Sequence, residues 1–229
     1  MFYFRGRLSW KKLITPSIFL VRLALKDRPL KFRPGQYVML GVPLRDGTSI
    51  ERPYSIASAP HPRNVEFLVH AKLGSAVPEY FESAKVGAAV TVRGPFGGSF
   101  KVPQTNRPLH FFAAGCGIAP FRAIMKDLLK RNPQSRVRVS FLREPHPWGV
   151  IDDELAQWYR TCQNFSYSII HMRTDEAVKQ AWKWRHVDIG DPSHRELVFL
   201  AGGSGFVANL KTHLLERGFK TKNILTENA

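Results

Sequence analysis

Acidic residues are scarce in this chain. Its 229 residues carry 34 Lys and Arg against 18 Asp and Glu, a formal charge of +16. The imbalance is strongest early. Residues 1–105 hold 16 basic and 6 acidic residues, and Asp27 is the one acid between Arg5 and Arg33. Such a surface favours an anionic partner: nucleic acid, anionic lipid or an acidic electron-carrier protein. The same charge also serves solubility. Cysteine is scarcer still. Cys116 and Cys162 stand alone, without CxxC spacing. That argues against a zinc site. It also argues against an iron–sulfur cluster held by this chain alone, which takes about four ligands. No metal is expected. Low cysteine use fits a reducing compartment. Long apolar runs are missing too. The most apolar stretch, Phe111 to Phe121, is well short of the ~20 residues that span a membrane. The opening "MFYFRGRLSWKK" has no continuous apolar segment of the signal-peptide kind. A cytoplasmic protein without a transmembrane segment is expected. No basic helix interleaved with aromatics occurs, so specific nucleic-acid binding is not expected.

What is present falls into two grammars. In the first, "SIFLVRLAL" (17–25), "QYVMLGV" (36–42), "VEFLVHA" (65–71) and "AAVTVRGPF" (88–96) read as strands punctuated by Gly and Pro. Short strands at this spacing predict an antiparallel barrel or sandwich. One helix is predicted at 76–84. A linker, "KVPQTNRP" (101–108), follows. Then strands and helices alternate: strand "LHFFAAG", a helix from Pro120, strand 137–142, a helix over 152–160 with Asp152 as its N-cap, strands 166–171 and 196–202, a helix over 206–217 and a last strand at 223–226. Phe121, Ile124, Met125, Leu128 and Leu129 recur at the spacing of one helical face. Doubly buried strands in such alternation predict a parallel α/β sheet. Two domains are expected, 1–104 and 105–229.

Ligands of an open parallel sheet sit at the carboxyl ends of its strands. Those ends here carry Gly115-Cys116-Gly117-Ile118-Ala119-Pro120 and "LAGGSGF" (200–206). Glycines let a phosphate approach the backbone, and a helix N-terminus offers N–H groups and a positive dipole end. The pattern also fits a tight turn that needs small residues. Arg143 and Arg173 each follow a strand and fit either a phosphate or plain solvent. In the first half, Arg52-Pro53-Tyr54-Ser55-Ile56-Ala57-Ser58 packs a cation, an aromatic ring and two hydroxyls into one short stretch. Strand alternation places Arg52, Tyr54 and Ile56 on one face. A guanidinium grips phosphate and a ring stacks on a flat heterocycle. The stretch equally fits a barrel strand with a surface Arg and a half-buried Tyr. Gly74 and Ser75 precede the short helix and offer a further anion site.

Taken in order over essentially the whole chain, RPYS, LGSAV, GPFGG, GCGIAP and AGGSG resemble the ferredoxin–NADP⁺ reductase superfamily. That group includes cytochrome b5 reductases, flavin reductases and the reductase components of oxygenases. The resemblance implies an N-terminal antiparallel Greek-key β-barrel for a flavin, then a Rossmann-like parallel α/β domain for a pyridine nucleotide, with no iron–sulfur domain. It implies that Arg52 contacts a flavin phosphate, that Pro53 and Tyr54 line the ring, and that Ser55 lies near its N5 as a candidate catalytic residue. Val69 and His70 would lie along the flavin, and Gly74, Ser75 and Ala76 would meet the FAD pyrophosphate. FAD is preferred over FMN because that helix start has a use only with a second phosphate. Gly115, Cys116, Gly117 and Pro120 would cradle NAD(P)H, with Arg143 beside its adenosine and Gly202 and Gly203 at the nicotinamide. Glu227 is a second candidate catalytic residue near the nicotinamide. The implied activity passes a hydride from NAD(P)H to FAD and electrons onward, to an acidic carrier of the ferredoxin or flavodoxin type. Three departures stand out, and two of them, Ala201 and the missing terminal aromatic, support an alternative, a non-catalytic subunit that keeps the fold to assemble with an electron-transfer or oxygenase partner. Ala201 stands where the family often has cysteine, Cys116 where it has Thr or Ser, and no aromatic follows Glu227.

Overall fold

The computed structural model describes residues 2–44, 46–71, 75–98, 100, 102, 107–171, 188–192 and 196–228. Gly74, Arg173 and most of the expected linker lie outside the described residues. The chain divides into two compact units. One takes Met1–Gly98, Ala119–Asp127 and Trp148–Val150; the other takes Ser99–Ile118, Leu128–Pro147 and Ile151–Ala229.

The first unit contains a six-stranded antiparallel sheet built from β1 (Tyr3–Thr15), β2 (Ile18–Leu25), β3 (Tyr37–Pro43), β4 (Ser49–Ser55), β5 (Asn64–His70) and β6 (Ala89–Phe96). Its order is β4-β3-β6-β1-β2-β5. The Ala57 N–H donates to the Glu66 carbonyl at 2.8 Å, so the chain leaving one edge strand is bonded to the other. Helix α1 (Ala76–Ser83) packs against β3 and β4. Strand β1 is absent from the sequence reading. Its outward positions are Tyr3, Arg5 and Arg7, while Phe4 and Leu8 alternate inward to the core. An antiparallel sheet tolerates such a charged outer face, and the charges hid the strand.

The second unit contains a five-stranded parallel sheet: β7 (Leu109–Ala114), β8 (Val137–Arg143), β9 (Phe165–His171), β10 (Leu197–Gly202) and β11 (Ile224–Asn228). The order is β11-β10-β7-β8-β9. The chain therefore builds outward from β7 through β8 to β9, then returns to the other side of β7. Strand order reverses between β7 and β10. Helix α2 (Ile118–Arg131) follows β7, α3 (Val150–Thr161) follows β8, and α4 (Ser204–Glu216) follows β10. β7 and β10 are buried almost throughout, as strands covered on both faces must be. Helix α2 departs from the one-faced expectation. Every residue from Ile118 to Met125 is buried, Arg122 among them. No helix among the described residues is long and apolar enough to cross a membrane.

Candidate functional site

Strand β4 is an edge strand, which suits Pro53, since an edge tolerates a missing N–H. One face of the strand grades from water to core. Arg52 is exposed and donates to the Glu51 carbonyl at 2.9 Å; Tyr54 is half-buried against the barrel core; Ile56 is fully buried. A phosphate end in solvent and a ring end half under cover would suit this gradient. Ser55 pairs across the ladder with Tyr37 and is half-buried. His70 is exposed at the end of β5. Val69 is a correction: its side chain is wholly enclosed in the barrel core, leaving only its backbone for a ligand. Ser75 occupies the N-cap of α1, but its hydroxyl makes no capping bond. Helix geometry itself leaves the N–H groups of Ala76 and Val77 without intrahelical acceptors, and Pro78 carries none.

In the second unit both glycine turns fall at the reversal point of the sheet. After β7 comes a tight 3-10 turn, Gly115–Gly117, and then α2. After β10 comes Gly203 as N-cap of α4. Each turn uses one glycine for packing and one at an open face. A Cβ on Gly117 would lie 2.2 Å from the Ala201 carbonyl oxygen, and one on Gly202 would lie 2.9 Å from the Ala114 Cβ. Gly202 also has φ of 155°, which side chains rarely adopt. Around Gly115 and Gly203 a Cβ would meet nothing within 4 Å. A narrow floor and an open top are what a pyrophosphate needs to approach backbone N–H groups. Glu227 reaches the same edge. The parallel ladder sets it level with Ala201, and it is half-buried.

Two predicted ligand contacts, Pro120 and Arg143, are instead buried. Pro120 is enclosed in the first turn of α2 and is not presented to a ligand. Arg143 is 5% exposed; it donates to the His146 carbonyl and, at 3.1 Å, to Asp152. It clamps the loop after β8 rather than waiting for a phosphate. Asp152 is accordingly not an N-cap, because α3 starts at Val150. Cys116 is chemically quiet. Burial pushes its thiol up to about 12, so it stays protonated at neutral pH. Alkylation of native protein by iodoacetamide at pH 7.5 is expected to spare Cys116, and Cys116→Ser to keep activity within about threefold. Rapid labelling of Cys116 would contradict this.

Sequence reasoning missed the buried polar groups. Arg122, 3% exposed, donates to the Ala57 carbonyl and to Glu66, both at 2.7 Å. The signal was present as a lone Arg among apolar helix positions. His110, Ser140 and Glu196 line up like a nucleophile, base and acid, with His110 Nε2 2.9 Å from Ser140 Oγ. All three are buried, and Glu196 is 4.0 Å from His110 Nδ1, beyond hydrogen-bond reach. His110 lies near the start of β7, away from the strand ends that carry the glycine turns. This cluster is packing.

Residues 5–101 match the family described as the oxidoreductase FAD-binding domain. The whole fold is that of solved relatives. The FAD/NAD-binding domain of a nitric oxide dioxygenase from Vibrio cholerae superposes with a TM-score of 0.84 at 22% identity, covering 99% of this chain and 98% of that one. A ferredoxin–NADP⁺ reductase from Neisseria gonorrhoeae gives 0.83 at 18% identity, with 99% and 98% covered. The chain has the fold of a ferredoxin–NADP⁺ reductase. Among curated relatives, the chain is 29% identical over 214 residues to the toluate 1,2-dioxygenase electron transfer component of Pseudomonas putida, covering 90% of this chain and 62% of the relative. It is 36% identical over 137 residues to the phenol 2-monooxygenase reductase component of Pseudomonas sp. strain CF600, covering 58% and 37%. It thus spans less than two thirds of the length of these relatives.

Proposed function

We propose that this chain is an NAD(P)H-dependent flavoprotein reductase that binds FAD on its barrel and hands electrons to a separate acceptor. The observation that carries this is the pair of glycine turns, one after β7 and one after β10, at the point where the strand order reverses. Arg52 would hold a flavin phosphate, Tyr54 would cover the ring, and the Ala76 and Val77 N–H groups would meet the second phosphate. Gly115 and Gly203 would take the pyrophosphate of NAD(P)H. FAD held there would supply the redox chemistry, hydride acceptance and one- or two-electron transfer. The chain needs no strong acid or base for this. Its residues would hold each ring in place. Ser55 would offer its hydroxyl to the ring nitrogen, and Glu227, on β11 level with Ala201, would face the nicotinamide.

The acceptor is proposed to be an acidic one-electron carrier protein, because the charge is +16 and β1 turns Arg5 and Arg7 to solvent. Relatives named as electron transfer and reductase components of oxygenases support that class. Anaerobic titration of the purified protein with NADH and with NADPH tests the core of the proposal. The flavin band is expected to bleach. A colourless protein that takes up no FAD overturns it and favours the non-catalytic subunit. With an acidic ferredoxin as acceptor, the rate is expected to fall severalfold between about 50 and 500 mM salt; a flat rate removes the acidic carrier.

A further inference from the structure

Within the first unit, the stretch that follows Ser55 is bonded at each successive residue. The Ile56 N–H donates to the Gln36 carbonyl at 3.0 Å, and the Ala57 N–H to the Glu66 carbonyl at 2.8 Å. The Ala57 carbonyl accepts from Arg122 Nη1 at 2.7 Å. Ser58 Oγ accepts the Glu66 N–H at 3.1 Å. The same Arg122 nitrogen also donates to Glu66 Oε2 at 2.7 Å, while Arg22 donates to Glu66 Oε1 from Nε at 2.9 Å and from Nη2 at 2.7 Å. Glu66 thus ties its own strand, the 57–58 segment and two guanidiniums into one knot. Arg122 is 3% exposed, and its helix neighbours Phe121 and Ala123 are fully buried. An apolar side chain would fill that place at a lower desolvation cost. A buried guanidinium aimed at a main-chain carbonyl three residues beyond Tyr54 does something packing alone does not require: it fixes a backbone.

We infer that Arg122 is a positioning residue for the proposed flavin site, holding the strand end that carries Tyr54 and Ser55 through the Ala57 carbonyl, with Glu66 holding Arg122 in turn. The inference rests on the flavin reading above. It assigns Arg122 no contact with the cofactor. It also gives Ser58 a role: its hydroxyl is an anchor for Glu66, not a ligand.

Arg122→Met, Arg122→Gln and Arg122→Lys in the full chain test it. In the FAD-loaded protein, Met and Gln are expected to lower kcat for flavin reduction about tenfold and leave the KM for NAD(P)H within about twofold. They are also expected to shift the bound-flavin visible band and its midpoint potential. Lys, which keeps the charge and a donor, is expected to restore most of kcat and the band. A thermal scan identifies any variant that fails to fold, and the Lys variant then carries the comparison. Folded Met or Gln variants with wild-type potential, spectrum and kcat overturn the inference. Amide hydrogen exchange at Ile56 and Ala57, read on protein without flavin, separates this outcome from failure of the flavin reading. Faster exchange in Gln supports positioning whether or not FAD binds. Unchanged exchange overturns it. Wild-type protein that takes up no FAD instead ends the reading beneath it.

Discussion

Gly117→Ala is expected to cost this protein its reaction with NAD(P)H while leaving FAD bound. The Cβ it adds would sit 2.2 Å from the Ala201 carbonyl oxygen, 2.4 Å from the carbonyl carbon and 2.7 Å from the Gly202 nitrogen. All three are backbone atoms of β10, an interior strand, so none can swing aside. The Gly117 backbone is ordinary, with φ of −59°. Space, not conformation, demands glycine here. The turn after β7 must therefore lift off β10, and both proposed phosphate sites move with it. Overpacking of this kind costs about 1–3 kcal/mol, which in a chain of this size lowers Tm by about 2–12 °C. The KM for NAD(P)H is expected to rise at least about tenfold, equivalent to about 1.4 kcal/mol of lost binding. Gly203→Ala is the control. Its Cβ would meet nothing within 4 Å, so stability is expected to hold while the KM still rises, because the new methyl occupies the open side. Steady-state kinetics with a thermal scan on both variants decides the matter. Wild-type KM in both would place the nucleotide elsewhere.

The contrast between these glycines shows what was legible in the sequence and what was not. Alternating and continuous apolar runs announce an antiparallel unit followed by a parallel one, because strand burial leaves that signature in residue type. The glycine turns announce themselves because close backbone approach admits little else. Direction is another matter. A sequence states that Arg143 follows a strand, not that its guanidinium turns back onto Asp152 and the His146 carbonyl. Val69 lies near one motif and Pro120 ends another, yet the fold encloses both. The reversal of strand order between β7 and β10 depends on pairings among distant segments, which no local pattern encodes. Glu66 and Arg122 are 56 residues apart, so nothing local ties one to the other.

That pair contributes to the acid sensitivity of the fold. Burial alone would raise the Glu66 carboxyl, but Arg122 and Arg22 outweigh it and hold the group below its ordinary value. The unfolded chain then takes up the proton first. The stability this carboxylate contributes is complete above the ordinary glutamate value of about 4.3 and disappears as pH falls through the lower folded value. His110 acts earlier with the same sign. Burial, aided by the nearby positive charge of Arg138, keeps its imidazole neutral well below the usual range. Stability linked to His110 is therefore full above about pH 6.5 and declines as pH falls below it. A plot of Tm against pH is expected to slope gently from about pH 6.5 and steeply below about pH 4.3. His110→Gln should flatten the first part, and Glu66→Gln the second. Glu66→Ala goes further, because it strips from the buried Arg122 guanidinium the carboxylate it is paired with at 2.7 Å. Breaking one side of a buried pair costs about 3–5 kcal/mol. A Tm lowered by about 6–20 °C is expected at pH 7, with most of the acid dependence below about pH 4.3 gone. If Glu66→Gln unfolds in acid along the wild-type curve, Glu66 is not the group that titrates.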